Sequence, residues 1–285
     1  MLVLSPCSFA LQICDGEVLA SISSKWRVHP SLPTLVVLPE MHIDDEFYHW
    51  SHYYDQLKQA DLVLANSMYS KNELFDRIGA KSVCLGPGID DTVFLSPDVD
   101  GGRFREKYGF EDKQIILTVS RKSPSKRYDM LISAMASLHQ DYPDAHLVMI
   151  GPDEDRVPID AAGVTYLGKA PETDLVDAYD ACDTFAMMSE SESFGMVFCE
   201  AWSRKKPVIG NRYCGAVASL IEDHVNGCLC GNVSDIESSI RLFLDDKTKA
   251  CQFGSRGYQK AISNYTWPII SERLKSYYED LIDMN

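Results

Sequence analysis

The sequence predicts an α/β protein built on parallel sheets of Rossmann type, in two domains of which the first is incomplete. Three observations predict it. Short apolar runs such as "QIILTVS" and "AHLVMIG" alternate with amphipathic helical stretches, the pattern of strands joined by helical crossovers. With 285 residues, 45% of them apolar, the chain is long enough for two cores. Between two such series lies "PGIDDTVFLSPDVDGG", rich in Pro, Gly and Asp and without periodicity, as an interdomain linker would be.

Taken in order, the apolar opening "MLVLSPCSFALQIC" reads as a strand with partners elsewhere. "PTLVVLPE", "DLVLANS" and "KSVCLG" read as strands, with helices over "FYHWSHYYDQLKQ" and "SKNELFDRIG". After the linker come strand "QIILTVS", helix "RYDMLISAMASLHQ", strands "AHLVMIG" and "VTYLG", helix "TDLVDAYDAC" and strand "TFAMMS". "SFGMVFCEAWSRK" is predicted as a helix starting near Phe194, "PVIGN" as a strand, "AVASLIEDH" as a helix and "GCLC" as a strand. Three helices close the chain: "SDIESSIRLFLDD", "KACQFGSRGYQKAIS" and "WPIISERLKSYYEDLIDM". The expected boundaries are a partial first domain over 1–95, with its linker at about 86–102, a second domain over 103–265, and a terminal helix over 266–285 that packs back on the first.

A net charge of −15 argues against a nucleic-acid partner, since phosphate backbones need a basic footprint. Nine cysteines, odd in number and scattered through apolar runs, fit reduced buried thiols of a cytoplasmic protein better than a disulfide framework. Cys228 and Cys230 point to one face of a strand, and no second pair at ligand spacing makes them a zinc site. No run reaches the roughly 18 apolar residues of a membrane span, and the opening lacks the basic start of a signal peptide.

Ligands of open parallel sheets bind beyond the carboxyl ends of the strands, so strand-to-helix junctions carry the chemistry. "TVSRKSPSKRYD" places Arg121 just past a strand and Lys126 at a helix start, where cations and free N–H groups suit a phosphate. On this stretch alone, both read more readily as solvated loop charges among Lys122 and Arg127. "SESESFGMVFCEA" places Glu192 ahead of a helix start, Gly195 where backbone comes close to a ligand, and Glu200 further along, on a face with Met196 and Val197. A carboxylate there needs donors, which sugar hydroxyls supply. Alternatively, Glu200 pairs with Arg204 four residues on, and Glu192 merely favours the helix dipole.

The ordered set "SRKSPSK", "LVMIG", "VTYLG", "SESESFGMVFCEA", "KKPVIG" and "CGAVASLIEDHVNG" resembles the C-terminal half of the retaining glycosyltransferases of family four, which have the GT-B fold. "ADLVLANSMYSKNEL" and "GPGIDDTVF" are similar to that family's late N-terminal domain and interdomain stretch. The two glutamates spaced by seven residues, with Phe-Gly between, are the most specific part. The resemblance implies that Arg121 and Lys126 neutralise the diphosphate of a nucleotide-sugar, and that Glu192 binds hydroxyls of the transferred sugar. It further implies that Phe194 and Gly195 with the following N–H groups support sugar and phosphate, that Glu200 accepts from the ribose, and that Gly168 and Lys169 border the base. His42, in "LPEMHIDD", takes the place of the family's N-domain histidine facing sugar and acceptor, or is a surface residue beside Asp44 and Asp45. No metal or cofactor is required on this scheme. The implied partners are the nucleotide-sugar, a carbohydrate, lipid-linked or other hydroxyl acceptor, and a chain supplying what the shortened first domain lacks. Arg127 replaces the family's glycine after the lysine, Pro87 its asparagine before Gly88, and Ser219 a common glutamate.

Two other readings stand beside it. Asp153 and Asp155 in "GPDEDRV" match the metal-holding pair of the other large glycosyltransferase fold. A non-enzymatic nucleotide-sugar-binding or partner subunit would carry the same donor residues. A dinucleotide oxidoreductase or a serine hydrolase would need G-x-G-x-x-G or G-x-S-x-G, and neither occurs.

Overall fold

A computed structural model describes residues 60–283 and the backbone of two earlier strands, Ala10–Ile13 (β1) and Thr34–Leu38 (β2). The chain divides into two compact units, residues 1–87 with 268–285, and residues 88–267. In the first, β1, β2, Leu62–Ala65 (β3) and Ser82–Cys84 (β4) form a parallel sheet in that order. Helix Met68–Ile78 (α1) crosses from β3 to β4; Ser67 caps its start by accepting the Ser70 N–H, and Gly79, at φ 67°, ends it. Leu64 and Leu85 pack with Ile270, and Arg273 donates to the Leu85 carbonyl at 2.6 Å.

The second unit is a six-stranded parallel sheet in the order β10-β9-β8-β5-β6-β7. Its strands are Gln114–Val119 (β5), Ala145–Ile150 (β6), Val164–Gly168 (β7), Thr184–Met187 (β8), Val208–Asn211 (β9) and Gly227–Cys230 (β10). Along β5, Ile115 and Leu117 enter one core and Ile116 the other, which explains a near-continuous apolar run: both faces are covered. Tyr128–Leu138 (α4) and Val233–Asp245 (α8) cover one face; Glu172–Ala181 (α5), Met196–Ser203 (α6) and Gly215–Leu220 (α7) cover the other. Lys247–Asn264 (α9) lies so close to α6 that a Cβ on Gly257 would sit 2.1 Å from the Trp202 ring. The last helix is Trp267–Asp283 (α10).

The segment expected to be a linker is structured. Asp90 and Asp100 cap two helices, Asp91–Phe94 (α2) and Gly101–Tyr108 (α3), and Ile89 is fully buried. Its many Asp and Gly residues are capping and close-packing residues: a Cβ on Gly101 would come within 2.6 Å of the Ala181 backbone. Entry to and exit from the second unit lie side by side. The Ile89 N–H donates to the Tyr265 carbonyl at 2.6 Å, and Gly88 is pressed against the Trp267 ring. Among the described residues no helix is long and apolar enough to cross a membrane, and the seven cysteines there are unpaired.

Candidate functional site

In the second unit the strand order reverses at β5, which pairs with β6 on one side and β8 on the other. A crevice beyond the carboxyl ends of strands forms at such a reversal. The two loops that leave it, 120–127 after β5 and 188–195 after β8, are knitted together. The Glu190 N–H donates to the Ser125 carbonyl at 2.9 Å, and Lys126 Nζ donates to Glu192 Oε1 at 2.6 Å, with Ser189 Oγ at 3.4 Å. Asn211, at the end of β9, braces the second loop by donating to the Met188 and Ser189 carbonyls.

The β5 loop owes its shape to a residue between the two expected cations. Lys122 is buried, and its ammonium bonds Asp155, Asp153 at 2.7 Å and the Val157 carbonyl at 2.8 Å, between the rings of Tyr128 and Tyr166. Burial opposes ionisation of Asp155, yet the Lys122 ammonium and the Tyr128 hydroxyl outweigh it and hold this carboxyl down at about 2. The pair read as a possible metal clasp is thus a clasp on a lysine. Pro124 then opens a short 3-10 turn through Lys126, and Arg127 follows with φ 48° in the left-handed region. That conformation explains why a glycine is usual there, and adopting it with a side chain costs about 1–2 kcal/mol. Arg127 reaches Glu190 and Asp129.

After β8, the chain reaches α6 through Gly195 at φ 97°, so the helix begins at Met196, two residues later than its sequence predicts. A residue in the left-handed region cannot continue a right-handed helix. The leading N–H groups of Met196 and Val197 have no intrahelical acceptor and open at the helix mouth. Phe194 is 4% exposed and packs edge-to-face on Tyr265, so it holds the turn from beneath. Met196 and Val197 are half-buried against the same core.

Glu200, in the second turn, accepts a hydrogen bond from the hydroxyl of fully buried Tyr179 at 2.6 Å. Desolvation pushes its carboxyl above the usual range, partly offset by the tyrosine. The alternative partner, Arg204, is turned instead to Asp180, at 2.8 and 3.0 Å. Arg121 is exposed and pairs with Glu154 at 3.2 Å. Gly168, at φ 71°, ends β7 and Lys169 is exposed beyond it; β7 is the sheet edge, separated from β5 by β6. The structure therefore joins Lys126 to Glu192, sets Glu200 one helical turn into α6, and leaves Gly168 and Lys169 two strands away. His42 lies outside the described residues. Sequence reasoning missed Lys122, Tyr179 and Ser189. The signal for Tyr179 was its place on an apolar helix face, where a phenol needs an acceptor; for Lys122 it was the acidic "DED" following the next strand.

The second unit is a doubly wound α/β domain with cations and carboxylates gathered at its switch point, and the first has a parallel sheet of its own. The chain belongs to the glycosyl transferases group 1 family, whose model matches residues 101–260, more than half of its length. It is 29% identical over 234 residues to a GDP-mannose-dependent alpha-(1-6)-phosphatidylinositol monomannoside mannosyltransferase of Mycolicibacterium smegmatis, covering 75% of this chain and 61% of that one. It is 26% identical to mannosylfructose-phosphate synthase of Agrobacterium fabrum, over 78% of this chain and 53% of the other. The chain thus spans between half and two thirds of the length of these relatives. Among solved structures, HepE of Anabaena with UDP and glucose superposes with a TM-score of 0.73 at 21% identity, covering 87% of this chain and 72% of that one. A glycosyltransferase from Rickettsia africae gives 0.74 at 20% identity, with 87% and 70% covered. The fold is GT-B.

Proposed function

We propose that this chain is a retaining glycosyltransferase that moves a hexose-type sugar from a nucleoside diphosphate sugar to a hydroxyl acceptor, without need of a metal. The observation that carries the reading is the meeting of Lys126 and Glu192 across the switch point, with the mouth of α6 beside them. On this reading the bond between the anomeric carbon and the diphosphate oxygen breaks, a bond to the acceptor oxygen forms on the same face, and the acceptor's hydroxyl proton passes to the departing diphosphate. Positive charge develops at the anomeric carbon, and negative charge on the departing diphosphate. On the same reading Arg121, Lys126 and the helix N–H groups stabilise the latter. Glu192 takes hydroxyls of the sugar and Glu200 those of the ribose; His42, outside the described residues, keeps the role that the resemblance implies. Gly168, with its left-handed backbone, and Lys169 border the base. Unpaired buried thiols suit the reducing cytoplasm, where we place the reaction, in carbohydrate biosynthesis.

Because the relatives are longer, a second reading is a donor-binding part of a longer or two-part enzyme that does not turn over alone. Calorimetric titration with GDP, UDP and ADP, with and without EDTA, tests the donor site under both. GDP comes first, since the Mycolicibacterium relative is named as GDP-mannose-dependent. Micromolar, EDTA-insensitive binding of one nucleotide, weakened by Glu200→Ala, is the expected result. Absence of binding by all three overturns the reading, and binding without turnover selects the second form of it.

A further inference from the structure

The two side chains best placed to hold a diphosphate are already held by glutamates. Lys126 Nζ bonds Glu192 Oε1 at 2.6 Å, with 11% and 17% of the two side chains exposed, and Arg121 bonds Glu154 at 3.2 Å in a far more exposed pair. The Lys126–Glu192 bond is not needed to join the two loops, because the backbone bond from Glu190 to Ser125 already does so. Resting on the donor-site reading above, we propose that Glu192 is an exchange partner that lets the site distinguish an intact sugar donor from the spent nucleoside diphosphate.

A diphosphate that draws the Lys126 ammonium to itself weakens its bond to the Glu192 carboxylate, which sits largely out of water. Left without a donor there, a carboxylate is costly, since removing one partner of a desolvated charge-assisted bond strands the other. An intact donor brings sugar hydroxyls that give the freed carboxylate new hydrogen bonds. The product nucleotide brings none, so the pair re-forms and disfavours product retention. Glu192 thus acts as a specificity-determining residue through Lys126, in addition to touching the sugar.

The test is calorimetric titration of the wild-type protein and Glu192→Gln with GDP, UDP, GDP-mannose and UDP-glucose. The neutral amide holds Lys126 less strongly but still accepts and donates hydrogen bonds. For whichever nucleotide binds, its affinity is expected to rise about tenfold in Glu192→Gln while that of its sugar form stays level or falls, so the ratio of the two constants shrinks. A change of both by the same factor, or weaker nucleotide binding in the variant, overturns the exchange and leaves the donor site standing. If none of the four probes binds either protein, donor site and exchange fail together. Glu192→Ala, titrated in the same way after its melting temperature is checked, is the second variant should the first not fold.

Discussion

Replacing Lys122 by methionine removes the ammonium from a buried clasp while nearly keeping the volume of the side chain. The lysine side chain is 1% exposed, that of Asp155 8% and that of Asp153 41%, so the variant leaves one deeply held and one half-solvated carboxylate without their cation. Breaking a buried ion pair by removing one partner costs 3–5 kcal/mol. The solvation of Asp153 puts the expected loss at the low end, about 3 kcal/mol. The pH dependence follows from Asp155, whose folded carboxyl is held at about 2, below its ordinary value of 3.8. A depressed carboxylate contributes stability that is present above the unfolded value and is lost as pH falls through the folded one. Without the ammonium, desolvation raises the Asp155 carboxyl of the variant above its wild-type value, so the deficit of Lys122→Met is greatest at pH 7 and shrinks as pH falls toward 2, the variant taking up its proton before the wild type does. Urea denaturation at pH 7, 5 and 3.5 measures it. A loss below 1 kcal/mol at pH 7, or a deficit that does not change with pH, refutes the clasp as the anchor of the β5 loop.

Gly257→Ala should destabilise by more than 1 kcal/mol in thermal melts although alanine favours helices, because its Cβ would strike the Trp202 ring 2.1 Å away. A neutral or stabilising result would mean that α9 shifts freely on α6. Tyr179→Phe removes the hydrogen bond that partly offsets the desolvation of Glu200, so the Glu200 carboxyl rises further above its ordinary value. Nucleotide affinity of that variant should fall more steeply than that of the wild type as pH drops from 7.5 to 5.5; parallel profiles would release Glu200 from the ribose role. Arg121→Ala and Lys126→Ala should each weaken nucleoside diphosphate binding by ~1.5–3 kcal/mol while leaving binding of the bare nucleoside unchanged. Equal losses for both ligands would deny them the phosphates.

The second unit was readable almost strand by strand, because its strands are buried on both faces and stand out as apolar runs between helical periods. Runs such as "LVMIG" and "TFAMMS" leave little ambiguity. The helices α2 and α3 were not readable as such: α2 is four residues long, and the Asp and Gly residues around both are as frequent in linkers as at caps. The start of α6 was misplaced by two residues because sequence does not reveal the sign of φ at Gly195. At the site, residue types and spacing alone left Lys126, Glu192 and Glu200 open between ligand contacts and ordinary charged residues, and the resemblance carried by the ordered motifs singled them out. Their partners were hidden because Tyr179 comes from a preceding helix, and Lys126 and Glu192 meet only when strands β5 and β8 become neighbours.

The side-by-side entry and exit of residues 88–267 give this unit the character of a cassette. Its ends are zipped at Ile89 and Tyr265, so a host chain needs only a gap of a few ångströms to receive it, and a short turn between those ends would close it on itself. Circular permutants opened elsewhere in the unit should therefore be geometrically permissible. Transplantation between host scaffolds would likewise leave Arg121, Lys126, Glu192 and Glu200 in register with one another, since all four travel inside the same piece of chain.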